Sequence, residues 1–376
     1  MIDSSLTPHV LERLAAIDGT TLDDTVTFSE LTTLRLGGRP RAAVRCATAE
    51  AVVETVALLD AAGIPLLVTG GGSNLVVADG NLDLAAVIVE NDSLDVDTTT
   101  GLVRAGAGAV WDDVVAAAVD AGLGGIECLS GIPGSAGATP VQNVGAYGAE
   151  ISDVLTRVRL FERGTGVVEW VSADSLELAY RWSNLKFTGR AVVLEVELQL
   201  RTDGRSAPLR FGQLARRLGA TGDGERRPVA EVREQVLELR RGKGMVLEPD
   251  DHDTWSAGSF FTNPVVDSTL VDAVQDKVRV SRGEEDAERM PRFDAGEGRE
   301  KLSAAWLIER AGFPRGFPSE DAAVRLSTKH TLALTNRGTA VTDDLVELAR
   351  TVRDGVRSAF DVTLVPEPVW VGVSID

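Results

Sequence analysis

Two glycine-rich segments are the first features of this chain that could do chemistry. Gly70-Gly71-Gly72-Ser73-Asn74 follows the apolar run IPLLVT, and GIPGSAGATPVQNVGAYG spans Gly131 to Gly148. Sixteen of the 38 glycines fall between Gly63 and Gly148, about twice an even share, so bare backbone is concentrated there. Glycine tolerates positive φ and lets other atoms approach the main chain, which is what aiming N–H groups at a phosphate requires. Tight turns alone also collect glycine, and for GGGSN by itself that explanation is at least as good. Neither segment fits G-x-G-x-x-G at the opening of a βαβ helix, which argues against a Rossmann site. Two such loops flanking one strand–helix unit favour a dinucleotide cradle, without deciding which dinucleotide.

The elements that must position these loops read as a mixture of strands and helices. RAAVRCAT is a short strand, and AEAVVETVALLDAAG has apolar residues at helical spacing up to a stop at Gly63. IPLLVT, AAVIVE and LVRAGAG read as strands, and WDDVVAAAVDAGLGG as a helix ending near Gly122. RVRLFE, VVEWVS and AVVLEVELQL follow as strands. Beyond about residue 201, VAEVREQVLELRRGKG predicts a helix with Val232, Val236 and Leu239 on one face. Residues 281–300 are charged and turn-rich and read as a surface loop. KLSAAWLIERAG and TDDLVELARTVRDGVRSAFD predict helices, and TLALTN and PVWVGVSI strands. The pattern is α+β or α/β, with a boundary between 201 and 245.

Composition sets limits. At 376 residues the chain suits two or three domains, and 44% hydrophobic residues suffice for a sizeable core. A net charge of −19 argues against a nucleic-acid partner, which needs a basic face. Only two cysteines occur, Cys46 and Cys128, in no metal-binding or disulfide pattern, so no metal and a reduced cytoplasmic setting are expected. No apolar run approaches the ~18 residues of a membrane helix, and the N-terminus lacks signal-peptide character.

Seven blocks, two of them the glycine-rich segments, extend the pattern. TTLRLGG, GGGSNLVV, GIPGSAGATPVQNVGAYG, YRWSNLKF, AGSFFTNPV, KLSAAWLIERAG and VPEPVWVG run in order from about residue 30 to 372. In that order they resemble the UDP-N-acetylenolpyruvoylglucosamine reductase (MurB) family. The resemblance implies an FAD-binding domain of the vanillyl-alcohol-oxidase type plus a smaller α+β substrate-binding domain. The implied regions are 1–210 for FAD, with the C-terminal strand 366–376 joining it, 211–257 as connector, and 258–365 for substrate. It implies reduction of the enolpyruvyl ether of UDP-N-acetylglucosamine with NADPH through FAD, in peptidoglycan precursor synthesis.

The resemblance also assigns residues. FAD contacts would come from Gly70, Gly71, Gly72, Ser73 and Asn74 in the first loop. The second loop would supply Gly131, Pro133, Gly134, Gly137, Ala138 and Thr139, then Gln142, Asn143, Gly145 and Ala146. Hydride would reach C3 of the substrate, leaving an enolate. Arg181 in YRWS and Glu367 in VPEP would stabilise it, a guanidinium offering permanently charged, bidentate donors. Ser259 in AGSFF would protonate C2, a demanding role for a weakly acidic hydroxyl. Without the motif, each has an ordinary alternative: an ion-pair arginine, a turn serine, an edge-strand glutamate between prolines. Lys243 and Asn263 match family positions that contact the UDP diphosphate, though a solvent-facing role suits either, and Tyr180 could be a core tyrosine as easily as a flavin or substrate contact.

Two departures stand out. Where the long form of the family carries a loop tyrosine, PLRFGQL has Phe211, which can stack on uracil or ribose but cannot donate from a phenol. Near the C-terminus the first of two usual acids is Val365, leaving Glu367. His9, His252 and His330 lie outside the glycine loops and Cys128 is expected as a small buried residue, so FAD is expected to be held noncovalently. A sugar or alcohol oxidase with the same flavin domain is the runner-up, and a non-catalytic flavin binder the third reading. The oligomeric state is not legible, with a monomer favoured.

Overall fold

The computed structural model describes residues 6–210, 212–222 and 224–376. The chain forms two compact units. The first takes in residues up to Leu31, then Arg39–Gly72 and Asn81–Val246; the second takes in Thr32–Gly38, Ser73–Gly80 and Leu247–Asp376.

In the first unit, strands Arg39–Cys46 and Leu66–Thr69 both pair in parallel with Asn81–Val89, and Thr20–Leu22 adds an antiparallel edge. A parallel centre is buried on both faces, and Ala85 to Val89 are accordingly all buried. The crossover is helix Ala49–Ala61, whose Thr48 cap accepts from the Ala51 N–H at 3.0 Å. It buries Val52, Val56 and Leu59, and Gly63 (φ +66°) turns the chain into the strand that delivers Gly70. A second, antiparallel sheet runs in the order Val167–Ser172, Leu155–Glu162, Ala191–Gln199, Leu102–Gly106, Leu94–Asp97. Helix Trp111–Asp120 leads from it towards the second glycine loop, and helix Val229–Arg241 buries Val232, Val236 and Leu239, the face its spacing predicts.

In the second unit, helices Ser268–Arg282, Ala304–Arg310 and Thr342–Phe360 pack with short sheets around a core that includes Val274, Leu307, Leu334, Val352 and Phe360. Val369–Val371 pairs in parallel with Leu75–Val77. This pairing, with Leu34 and Leu36 buried in the same core, places the C-terminal strand and two N-terminal segments in this unit. The division falls after Val246, so most of the expected connector packs within the first unit.

The surface-loop reading of 281–300 is corrected. Helix Ser268–Arg282 ends inside that span, Glu284–Glu288 forms a short helix, and Arg292–Asp294 and Arg299–Leu302 form a hairpin. The helix turns only Val271, Val274 and Val278 inward, and the hairpin is held by a bidentate Arg292–Glu300 pair at 2.7 and 2.6 Å. So few apolar residues face inward that composition alone resembles a loop. Lys301 and Leu302 likewise belong to a strand, with the following helix beginning at Ala304 after a Ser303 cap. Among the described residues, no helix is long and apolar enough to cross a membrane and no three His, Cys, Asp or Glu side chains cluster as metal ligands.

Candidate active site

The two glycine loops touch. A Cβ added at Gly71 would lie 2.7 Å from the Gly134 Cα, and one at Gly70 would lie 2.1 Å from the Ser135 Oγ. At Gly71 backbone passes against backbone, which leaves no room for a side chain there. Gly134 itself has φ +124°. The second loop is fixed from below by main-chain bonds: Trp111 N–H to Gly134 O (3.0 Å), Ala136 N–H to Ala109 O (2.8 Å) and Gly137 N–H to Ala107 O (2.9 Å). Its first residue, Gly131, donates to Asp112 Oδ1 at 2.6 Å. Burial alone would push the Asp112 carboxyl up, but Arg233 and the Gly131 N–H outweigh it and hold the group below the usual range. Two loops packed edge to edge and bare of side chains at their contact present main-chain N–H groups of the kind that bind the pyrophosphate of a dinucleotide.

Within the second loop, the side chains are largely engaged in building it. Thr139 Oγ1 donates to Ala136 O at 2.7 Å. Asn143, buried and at φ +46°, donates to Glu150 Oε2 (2.8 Å) and Ala179 O (3.0 Å) and accepts from the Ser152 N–H (3.1 Å). Pro133, Gln142 and Ala146 are half-buried and Ala138 is exposed.

The bond from Asn143 to Ala179 ties this loop to a tight turn, closed by reciprocal main-chain bonds between Ala179 and Trp182. Arg181 sits at its tip with φ +55°, a conformation that costs an ordinary side chain about 1–2 kcal/mol. Its Nη2 donates to Gly145 O at 2.9 Å, and its guanidinium lies 5.2 Å from the Tyr180 ring centre. Buried Lys186 donates from Nζ to Arg181 O at 3.1 Å, and Ser183 Oγ to Val141 O at 2.5 Å. The glycine loop and the arginine are thus one hydrogen-bonded assembly. Tyr180 is exposed. Lys243 lies 6.0 Å from the Tyr147 ring, and burial first, then Arg240, lower its pKa. Arg240 donates to Gly131 O and Met245 O, and burial brings it down to about 10. Phe211 lies outside the described residues.

In the second unit, Thr262 N–H donates to Val365 O (3.0 Å) and Glu367 N–H to Phe260 O (2.9 Å), setting Ser259 and half-buried Glu367 on adjacent antiparallel segments. Val369 N–H donates to Asn74 O at 2.9 Å, so Asn74 joins the same group; Ser73, beside it in the chain, is half-buried. Phe260 and Phe261 are buried, anchoring the segment. Ser259 Oγ lies 3.2 Å from His330 Nε2, a partner that sequence reasoning missed because it weighed the histidines only as flavin attachment points. Asn263 Oδ1 accepts from the Ala304 N–H at 3.0 Å, so its oxygen holds the start of a helix.

The chain is similar to known proteins along its length. The profile of the UDP-N-acetylenolpyruvoylglucosamine reductase C-terminal domain matches residues 249–371, and that of an FAD binding domain matches 40–172. The UDP-N-acetylenolpyruvoylglucosamine reductase of Corynebacterium glutamicum strain R is 66% identical, with all of both chains covered. The chain belongs to this reductase family. A reductase of the same name from Corynebacterium diphtheriae is 67% identical over 93% of the chain and 90% of its own, and one from Mycobacterium avium 53% over 95% and 97%. The crystal structure of the MurB reductase from Thermus caldophilus, 23% identical, has the same fold with a TM-score of 0.62 over 94% of this chain and 98% of its own. The α+β fold with an FAD-binding domain agrees with the sequence reading.

Proposed function

We propose that the chain is an FAD-dependent oxidoreductase that reduces UDP-N-acetylglucosamine-enolpyruvate to UDP-N-acetylmuramate with NADPH, for peptidoglycan precursor synthesis. The observation that carries this reading is end-to-end identity of 66% with a reductase of that name. An oxidase of the same flavin domain would leave the match over 249–371 without a purpose. The loops at Gly70–Gly72 and Gly131–Gly137 would hold FAD noncovalently, their main-chain N–H groups facing its pyrophosphate. Bound FAD would supply the redox chemistry that carries hydride from NADPH to the enolpyruvyl group.

The chain's own residues handle the charge and the proton. Arg181, held at the tip of its turn by Gly145 and Lys186, offers fixed positive charge to the substrate carboxylate as the enolate forms. Glu367 assists in polarising the enol, and Ser259 gives the proton that completes C2. Lys243 and Tyr180 serve the UDP-sugar. The protein acts in the cytoplasm as a monomer, with neither nucleic acid nor membrane as a partner. Ser259→Ala tests the proton assignment: flavin reduction by NADPH should persist while reoxidation by the enolpyruvyl substrate collapses. If both half-reactions continue unchanged, Ser259 is not the donor.

A further inference from the structure

A serine hydroxyl that has given up its proton is left as an alkoxide, a strong base that must be neutralised before the next turnover. His330 Nε2 stands 3.2 Å from that oxygen, within the reach of direct proton transfer. The histidine is held there by its own loop. Ser327 Oγ accepts from the His330 N–H at 3.2 Å, His330 O accepts from the Ala333 N–H at 3.0 Å, and Leu332 O accepts from the Phe260 N–H at 2.8 Å. The last bond ties the histidine's loop to the residue beside Ser259, so the separation of the two side chains is built into the main chain. Imidazole is also the side chain whose ordinary pKa lies nearest neutrality, the range in which a proton is both held and released.

We propose that His330 is a positioning residue for substrate reduction, acting through Ser259 as the source that restores its proton; this rests on Ser259 being the donor to C2. In the step, the Ser259 O–H bond breaks as the C2–H bond forms, and the electron pair stays on the serine oxygen. The Nε2–H bond of the imidazolium breaks as a new serine O–H forms. The neutral imidazole then takes a proton from water. While Nε2–H donates to Oγ, the hydroxyl hydrogen is left to point elsewhere, so the same bond sets the direction of delivery.

The test uses His330→Ala and His330→Gln, the second keeping a side-chain N–H donor that cannot release its proton. Stopped-flow flavin absorbance follows each half-reaction. Reduction by NADPH should match wild type in both variants, while reoxidation by the enolpyruvyl substrate falls about 100-fold, the usual scale of acid–base assistance. Added imidazole should restore part of the rate in the alanine variant. A glutamine variant at wild-type rate would show that the bond only orients the hydroxyl, and an alanine variant at wild-type rate would remove His330 altogether; either overturns the proposal. Should the variants fail to fold, the ring nitrogen resonances of His330 are compared between the wild-type protein and Ser259→Ala. They should shift on loss of the hydroxyl, and unchanged resonances overturn the proposal. The two failures are distinguishable. If Ser259→Ala itself still reduces substrate, the donor assignment falls; if only the histidine variants are normal, Ser259 stands alone.

Discussion

Gly71→Ala probes the contact between the two loops. The new Cβ would meet the Gly134 Cα at 2.7 Å and its carbonyl carbon at 3.1 Å, backbone atoms that cannot rotate away. Reaching an ordinary contact of 3.4 Å requires the loops to part by roughly 0.7 Å. Overpacking of this kind costs about 1–3 kcal/mol. If the apoprotein relieves it by opening the cradle, the cost is felt when FAD closes it again, making FAD binding about 5- to 150-fold weaker at 1.4 kcal/mol per decade. Gly63→Ala is the control: its φ is +66° but nothing lies within 4 Å, so about 1 kcal/mol of stability should be lost with FAD affinity unchanged. The assay is titration of apoprotein with FAD by fluorescence, with melting of both variants alongside. Wild-type FAD affinity in Gly71→Ala would refute the cradle.

Other expectations follow from particular contacts. Asn143→Ala loses three hydrogen bonds and puts a β-carbon residue without side-chain support at φ +46°, so denaturant unfolding should report about 2–4 kcal/mol less stability. Asn263→Ala frees the Ala304 N–H and should cost about 1 kcal/mol of stability, with a raised KM for the UDP-sugar only if the same side chain also reaches substrate. Glu197, bonded by Arg157 and Arg104, has its carboxyl lowered from 4.5 to about 2. Its contribution to stability is complete above pH 4.5 and lost as the pH falls towards 2, so Glu197→Gln should flatten acid unfolding in that window. Burial pushes the Cys46 thiol to about 11 and raises that of Cys128 further, so a thiol reagent should label neither in folded protein. Mass spectrometry of denatured protein should find no flavin adduct on either.

Local pattern carried most of the first unit's elements. The stripe of Val52, Val56 and Leu59, closed by Gly63, states a helix within the fifteen residues 49–63. Helix Ser268–Arg282 was not legible, because three inward valines among many charges fall below what periodicity resolves. The glycine loops were legible as bare backbone, but not their contact, since Gly71 and Gly134 meet only through a parallel sheet and a helix start. Ser259 and Arg181 were found through resemblance, since each is an ordinary residue type in a turn. What holds them was hidden for a physical reason: Gly145 and Lys186 act through main-chain atoms of Arg181's surroundings, and His330 lies 71 residues from its partner. Asn143 and Asn263 show the converse, polar residues in motif positions whose side-chain atoms are engaged in holding local structure.

Flavin-mediated reduction of the enolpyruvyl ether is tested most directly by an anaerobic titration recorded by flavin absorbance. NADPH is added first, followed by UDP-N-acetylglucosamine-enolpyruvate. One equivalent of NADPH should bleach the oxidised flavin band, and one equivalent of the enolpyruvyl substrate should restore it fully, with UDP-N-acetylmuramate formed in step. A flavin that NADPH cannot bleach, or one that stays reduced until oxygen is admitted and then yields hydrogen peroxide, would contradict it.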